Sequence, residues 1–209
     1  MRNKTVLEIL KDNKAVITND HFVYTSERHG SVYINKDVIY PHTKVISKIA
    51  RIFAETFQDL DIDAVIAPAI GGIILSTWTA HHPSKLKRKE ILGIYTEKDL
   101  EKNQIFTRGY DKLVHGKKIL VLEDITTTGG SVKKVISSIE NHEGKIQAIG
   151  VMVNRAPQEV TTETFGYLFK ALSELFVESF EPHECPMCQK GVPINTSVGH
   201  GKKFIEAKK

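Results

Sequence analysis

Cysteine is scarce: the 209 residues include two, Cys185 and Cys188. That is too few, and too close together, for the disulfide framework of a small secreted domain. Long apolar runs are missing as well. No stretch approaches the roughly 18 apolar residues of a membrane span, and the N-terminus has no apolar signal core. A cytoplasmic protein is expected. Neither sign of charge dominates, with 29 basic against 25 acidic residues, a formal net charge of +4 and a pI near 8.9. Nucleic-acid binders gather basic residues on one face or stripe. Here the main cluster, Lys85 to Lys89, is short and has no interleaved aromatics. It reads as a solvated loop or helix end, and an anionic small substrate is the better match for the mild positive field. Repeats and low-complexity segments are absent too. What remains is ordinary for a globular enzyme: 41% apolar and 26% charged residues, enough to bury a full core in one domain with a small appendage.

Residues 119 to 131 are the most informative stretch. Ile119 to Leu122 suit a buried strand of a parallel sheet, led in by Lys117 and Lys118. Glu123 and Asp124 follow where that strand should emerge, then the hydroxyl- and glycine-rich turn Thr126, Thr127, Thr128, Gly129, Gly130 and Ser131. Val132, Val135, Ile136 and Ile139 then recur at helical spacing. Strand, small-residue loop and helix start together make a phosphate site, because backbone N–H groups converge there and the helix dipole favours an anion. A carboxylate would repel that phosphate, so the acids must face another part of the ligand. Sugar hydroxyls are suitable, since ionised carboxylates accept strongly from them. The run lacks the lysine of a nucleoside-triphosphate P-loop, and its glycines are not spaced as in a dinucleotide fingerprint. The bland alternative is an ordinary strand-to-helix turn with acids near a helix N-terminus.

This run resembles the phosphoribosyl-diphosphate (PRPP) signature of type I phosphoribosyltransferases, and other segments are most similar to the orotate phosphoribosyltransferases. The resemblance implies transfer of phosphoribose from PRPP to orotate, giving orotidine 5′-phosphate and diphosphate. It implies Mg²⁺ held chiefly by the diphosphate and ribose hydroxyls. Glu123 and Asp124 would hold the ribose hydroxyls, and Thr126 to Ser131 the 5′-phosphate. A homodimer is expected, with PRPP and orotate as ligands and neither membrane nor nucleic acid as partner. Phosphoribosyl transfer to another base such as a purine, and a non-enzymatic PRPP-sensing regulator, stay open as alternatives.

Four further segments carry the resemblance. Pro68-Ala69-Ile70-Gly71-Gly72 is a glycine turn after a strand, where backbone can approach a phosphate closely. It is similar to the family's diphosphate loop, which places Ile70 and Gly71 near PRPP; a plain helix-on-sheet packing turn is the alternative. His21 to Asn35 is similar to the orotate hood, with Phe22, Ser26, Tyr33, Ile34 and Asn35 on matching positions. Tyr33 and Ile34 would line the base pocket, while Thr25 stands where many members have lysine and Glu27 where they have glycine. Arg155, after the apolar segment Ile146–Asn154, offers a planar fork of donors suited to a carboxylate or pyrimidine edge. In the family such an arginine contacts orotate, and Thr127 matches a second contact. The polar loop after Tyr95 resembles the family's mobile cationic loop: Lys98 aligns with its second cation, but Glu97 replaces arginine, Glu101 lysine and Asn103 histidine. Lys102 and Arg108 would supply the missing charge for the leaving diphosphate if the loop folds differently.

The tail reads His183-Glu184-Cys185-Pro186-Met187-Cys188, with His200 later. Its Cys-x-x-Cys is half a zinc site, for which His183 and His200 are the candidate completing ligands, or a partner subunit's cysteines. A plain turn with reduced thiols is the alternative. Alternating apolar strands (64–67, 91–95, 119–122, 146–154) and helices predict an α/β fold with a doubly wound parallel sheet, and the resemblance implies a mostly parallel five-stranded sheet with a small N-terminal hood. Three segments are expected: residues 1–40 as N-terminal helix and hood, 41–180 as the phosphoribosyltransferase core, and 181–209 as the tail. Residues 99–116 are expected to form a long mobile loop.

Overall fold

The computed structural model describes residues 5–207. Thr5 and Glu8 close a reciprocal capping box on α1 (Val6–Asp12). The strands β1 (Val16–Val23) and β2 (His29–Ile34) then pair antiparallel as a separate two-stranded hairpin. The amphipathic segment after Pro41 forms α2 (Thr43–Thr56), and Ile46, Ile49 and Phe53 are its buried face. The core elements follow: β3 (Ala64–Pro68), α3 (Gly71–Lys87), β4 (Leu92–Lys98), β5 (Gln104–Ile105), β6 (Lys118–Thr126), α4 (Gly130–Asn141), β7 (Lys145–Asn154), α5 (Thr162–Phe165) and β8 (Phe169–Ala171). Two short helices, α6 (Pro186–Gln189) and α7 (Gly201–Glu206), lie in the tail. None of the described helices is long and apolar enough to cross a membrane.

The main sheet has the order β5-β4-β3-β6-β7-β8, parallel except for the antiparallel β4–β5 pair. Its mostly parallel, doubly wound character follows the expectation. The strand count is six rather than five, because the stretch expected to be a long loop doubles back as β5. Glu97 pairs with Ile105 and Lys98 with Gln104 there, and the Thr96 hydroxyl donates to Gln104 Oε1 at 2.7 Å. A two-residue strand held by one buried side-chain bond leaves no hydrophobic period to read.

Helices on both faces explain why β6 is apolar without alternation. Leu120 and Leu122 pack on the α2–α3 side with Phe53 and Leu75, while Ile119 and Val121 pack on the α4 side with Val135 and Ile139. Each fully buried Leu or Ile contributes about 1.5–3 kcal/mol from leaving water. β6 also runs further than its apolar run suggests: pairing with β7 continues through Glu123, Ile125 and Thr126. The two acids are therefore held in a central strand, which fixes their direction.

Candidate active site

The acids sit at the carboxyl end of β6, where open α/β sheets bind ligands. Both are buried, and they are not equivalent. Asp124 Oδ2 accepts from Lys36 Nζ at 2.5 Å and from the Tyr40 hydroxyl at 2.9 Å. Glu123 Oε1 accepts from the Asp124 backbone N–H at 3.0 Å. Burial, and next the neighbouring Asp124 carboxylate, push the Glu123 carboxyl well above its ordinary range. Burial opposes the Lys36 ammonium, but attraction to Asp124 and Glu123 outweighs it and the net shift is upward. Burial and then Asp124 also raise the Tyr40 phenol, which keeps it a donor. Asp124 is thus the member of the couple that is paired with a lysine and a tyrosine.

After the acids, β6 ends and the phosphate-type loop begins. Thr126 Oγ1 accepts from the Gly129 N–H at 3.1 Å, closing a tight bend. Gly129 has φ of +75°, and a Cβ there would lie 2.8 Å from the Phe165 ring, so both backbone and space require glycine. Gly130 then opens α4, a helix of 12 residues whose N-terminal N–H groups face the loop. Arg155, just beyond β7, ties its backbone N–H to the Thr126 carbonyl at 2.9 Å, and its guanidinium lies 4.3 Å from the Tyr24 ring centroid. Burial raises the Tyr24 phenol, with Arg155 opposing.

The acids, Lys36, the loop, Tyr24 and Arg155 line one cleft of about 610 Å³. Of the residues expected from sequence, it gathers Tyr33, Ile34, Lys98, Glu123, Asp124, Thr126, Thr127, Thr128, Gly129, Gly130, Ser131 and Arg155. Ile70 and Gly71 do not line it. Ile70 is 83% exposed, whereas Gly71 packs so closely on the acids that a Cβ would meet Asp124 Oδ2 at 2.6 Å. Lys102 and Arg108 are outside the lining as well. Arg108 pairs with Glu97 at 3.4 Å, and the Lys102 carbonyl accepts from Lys134 Nζ at 2.6 Å. The hydroxyl of Thr107 also donates to Glu97, and that bond first, then Arg108, holds the Glu97 carboxyl below its usual range. The acid that stands where the family pattern has arginine thus takes up the cation meant to replace it.

Around the acids stand residues that sequence reasoning missed. Lys36 and Tyr40 reach Asp124 from the segment between β2 and α2; Lys36 lies just past the hood motif, the one signal that could have found it. Tyr24 lies in the hood run but only its stacking on Arg155 reveals a role. The metal expectation needs correction in two of its four residues. His183 is exposed and lies 3.6 Å from Glu184. His200 points into the cleft, its Nε2 at 3.2 Å from Thr25 Oγ1. Cys185 and Cys188 instead meet His21 and His29.

A family model for the phosphoribosyl transferase domain matches residues 35–180, most of the chain. The chain belongs to the phosphoribosyltransferase family, the class that its doubly wound sheet, acid couple and Thr-Gly loop define. Within that class it is similar to curated proteins named orotate phosphoribosyltransferase. The one from Caldicellulosiruptor saccharolyticus is 34% identical over 194 residues, covering 93% of this chain and 95% of that protein. Among solved structures, the orotate phosphoribosyltransferase of Aeropyrum pernix has a TM-score of 0.63 at 24% identity, over 81% of this chain and 93% of that one. The Mycobacterium tuberculosis enzyme in complex with PRPP has a TM-score of 0.61 at 20% identity, over 81% and 94% of the two chains. At those identities the two structures speak for the fold.

Proposed function

We propose that the cleft transfers the 5-phosphoribosyl group of PRPP to orotate, as the names of the relatives suggest. One observation carries this reading: a single cleft holds a buried acid couple, a glycine-capped loop at a helix N-terminus, and an arginine stacked on a hood tyrosine. These correspond to the ribose hydroxyls, the 5′-phosphate and the planar anionic base. In the reaction the bond from the anomeric carbon to a diphosphate oxygen breaks, a bond from that carbon to a base nitrogen forms, and that nitrogen gives up its proton to solvent. Positive charge grows on the ribose while the diphosphate departs with its electron pair.

Asp124 offers negative charge and an acceptor beside that ribose, and its accompanying Lys36 is poised to yield a hydrogen-bonding position when the hydroxyls arrive. Thr126 to Ser131 bind the phosphate through hydroxyl and backbone donors. Lys98, at the end of β4, lies where a cation can meet the leaving diphosphate. Arg155 orients the base through its fork of donors, while Tyr24, Tyr33 and Ile34 shield it from water. The oxygen donors of the couple suit Mg²⁺, and with Asp124 already paired to Lys36 they fit an ion carried mainly by the ligand. When bound, such an ion would supply positive charge to the departing diphosphate.

The test is a base panel. One preparation is given PRPP and Mg²⁺ with orotate, uracil, adenine or hypoxanthine, and diphosphate release is followed. Turnover with orotate alone is expected. Turnover with a purine instead would move the assignment to another base, and PRPP binding without turnover on any base would favour a regulator.

A further inference from the structure

The strongest unassigned constellation lies outside the cleft, where the hood hairpin meets the tail. His21 on β1 and His29 at the start of β2 are both fully buried. Cys185 precedes α6 and is buried, and Cys188 lies within α6. The ligand atoms of these four side chains all fall within 4.8 Å of one another. His21 Nε2 is 2.8 Å from His29 Nδ1, 3.6 Å from Cys185 Sγ and 3.7 Å from Cys188 Sγ, and Cys188 Sγ is 3.3 Å from His29 Nδ1.

Those separations are four of the six edges of a small tetrahedron. Zinc bound tetrahedrally by two thiolates and two imidazoles places nitrogen and sulfur about 3.6 Å apart, and two nitrogens about 3.3 Å apart. The sulfur–nitrogen spacings agree, and the nitrogen pair needs only a few tenths of an ångström to open. The outer contact of His21 is also that of a ligand. Its Nδ1 lies 2.8 Å from the Val192 carbonyl, an acceptor only, so Nδ1 carries the proton and Nε2 presents its lone pair to the cluster. Two sulfurs and two imidazoles form a donor set that favours zinc over a hard, oxygen-seeking cation.

We propose that His21, His29, Cys185 and Cys188 form a structural zinc site that pins the tail to the hood. All four positions come from protein, so the site is closed and has no place for a reacting water. Binding displaces the two thiol protons to solvent, leaving a neutral four-ligand centre. Backbone bonds already run alongside it: His29 and Phe180 exchange N–H···O bonds at 2.8 and 2.9 Å, and the Asn195 N–H donates to the His21 carbonyl at 2.7 Å. Because the same hairpin carries Tyr24 and Tyr33 into the cleft and the tail carries His200, the metal would hold the base pocket in shape from behind.

The proposal is tested on the full chain, purified without an affinity tag from zinc-supplemented medium, by elemental analysis and zinc-edge X-ray absorption. The expected result is about one zinc per chain, with two sulfur neighbours near 2.3 Å and two nitrogen neighbours at about 2.0–2.1 Å. Cys188→Ser, chosen because that residue is exposed, and His29→Gln should each lose most of the zinc and lower Tm. His183→Ala should retain it. Metal-free protein with two freely titrating thiols, a Cys185–Cys188 disulfide, or zinc retained in both variants would overturn the assignment. None of these readouts depends on turnover, so failure here and failure of the transferase reading are distinguishable.

Discussion

Arg155→Ala separates the two ends of the cleft. The guanidinium rests on the Tyr24 ring at 4.3 Å, while the Arg155 backbone N–H holds the Thr126 carbonyl at 2.9 Å. Alanine removes the first contact and keeps the second, so the phosphate loop retains its anchor. A hydrogen bond to a charged group contributes about 1.5–3 kcal/mol. With about 1.4 kcal/mol for each factor of ten, kcat/KM for orotate should fall about 10- to 150-fold. Effects at separated sites couple by a few tenths of a kcal/mol, so KM for PRPP should change by no more than about twofold. Arg155→Lys keeps the charge but loses the planar fork and the stacking, and should fall between the alanine variant and the wild type. Initial rates of orotidine 5′-phosphate formation, with each substrate varied at saturating levels of the other, give both constants. Equal losses toward the two substrates, or none toward orotate, would refute the base-pocket role.

Two other variants probe the acid couple. Asp124→Asn leaves an acceptor for Tyr40 but removes the charge beside the ribose; kcat should drop about a hundredfold or more. Its fold should survive, because Lys36 is 32% exposed and can be solvated when unpaired; undiminished kcat by the same assay would exclude the ribose role. Glu123→Gln tests the raised carboxyl. The folded protein holds this proton more tightly than the unfolded chain, so wild-type stability falls as pH climbs from about 4.3 toward the raised value, with no penalty below that window. Glutamine mimics the protonated acid, so the Tm advantage of the variant should grow with pH; an advantage that shrinks across a buffer series would contradict the buried-acid picture.

Local chemistry made much of the fold readable. The apolar faces of α2 and α4 and the continuous run of β6 repeat on the length scale of one element, and each sits buried where its period predicts. The loop Thr126 to Ser131 was equally legible, since its φ requirement at Gly129 and its hydroxyls lie within six consecutive residues. β5 escaped because two residues show no period, and the Arg108–Glu97 pair escaped because a mixed-charge loop has many possible pairings.

The sequence by itself determined the class of ligand: hydrophobic strand, adjacent acids and glycine turn are contiguous, and contiguous residues share one local geometry in almost any context. Only the tertiary structure decided who stands opposite them. Lys36 lies 88 positions from Asp124, and His21 lies 164 from Cys185. No backbone period links such residues; strand register and the packing of hood and tail bring them together, and those follow from burial summed over the whole chain rather than from any segment of it.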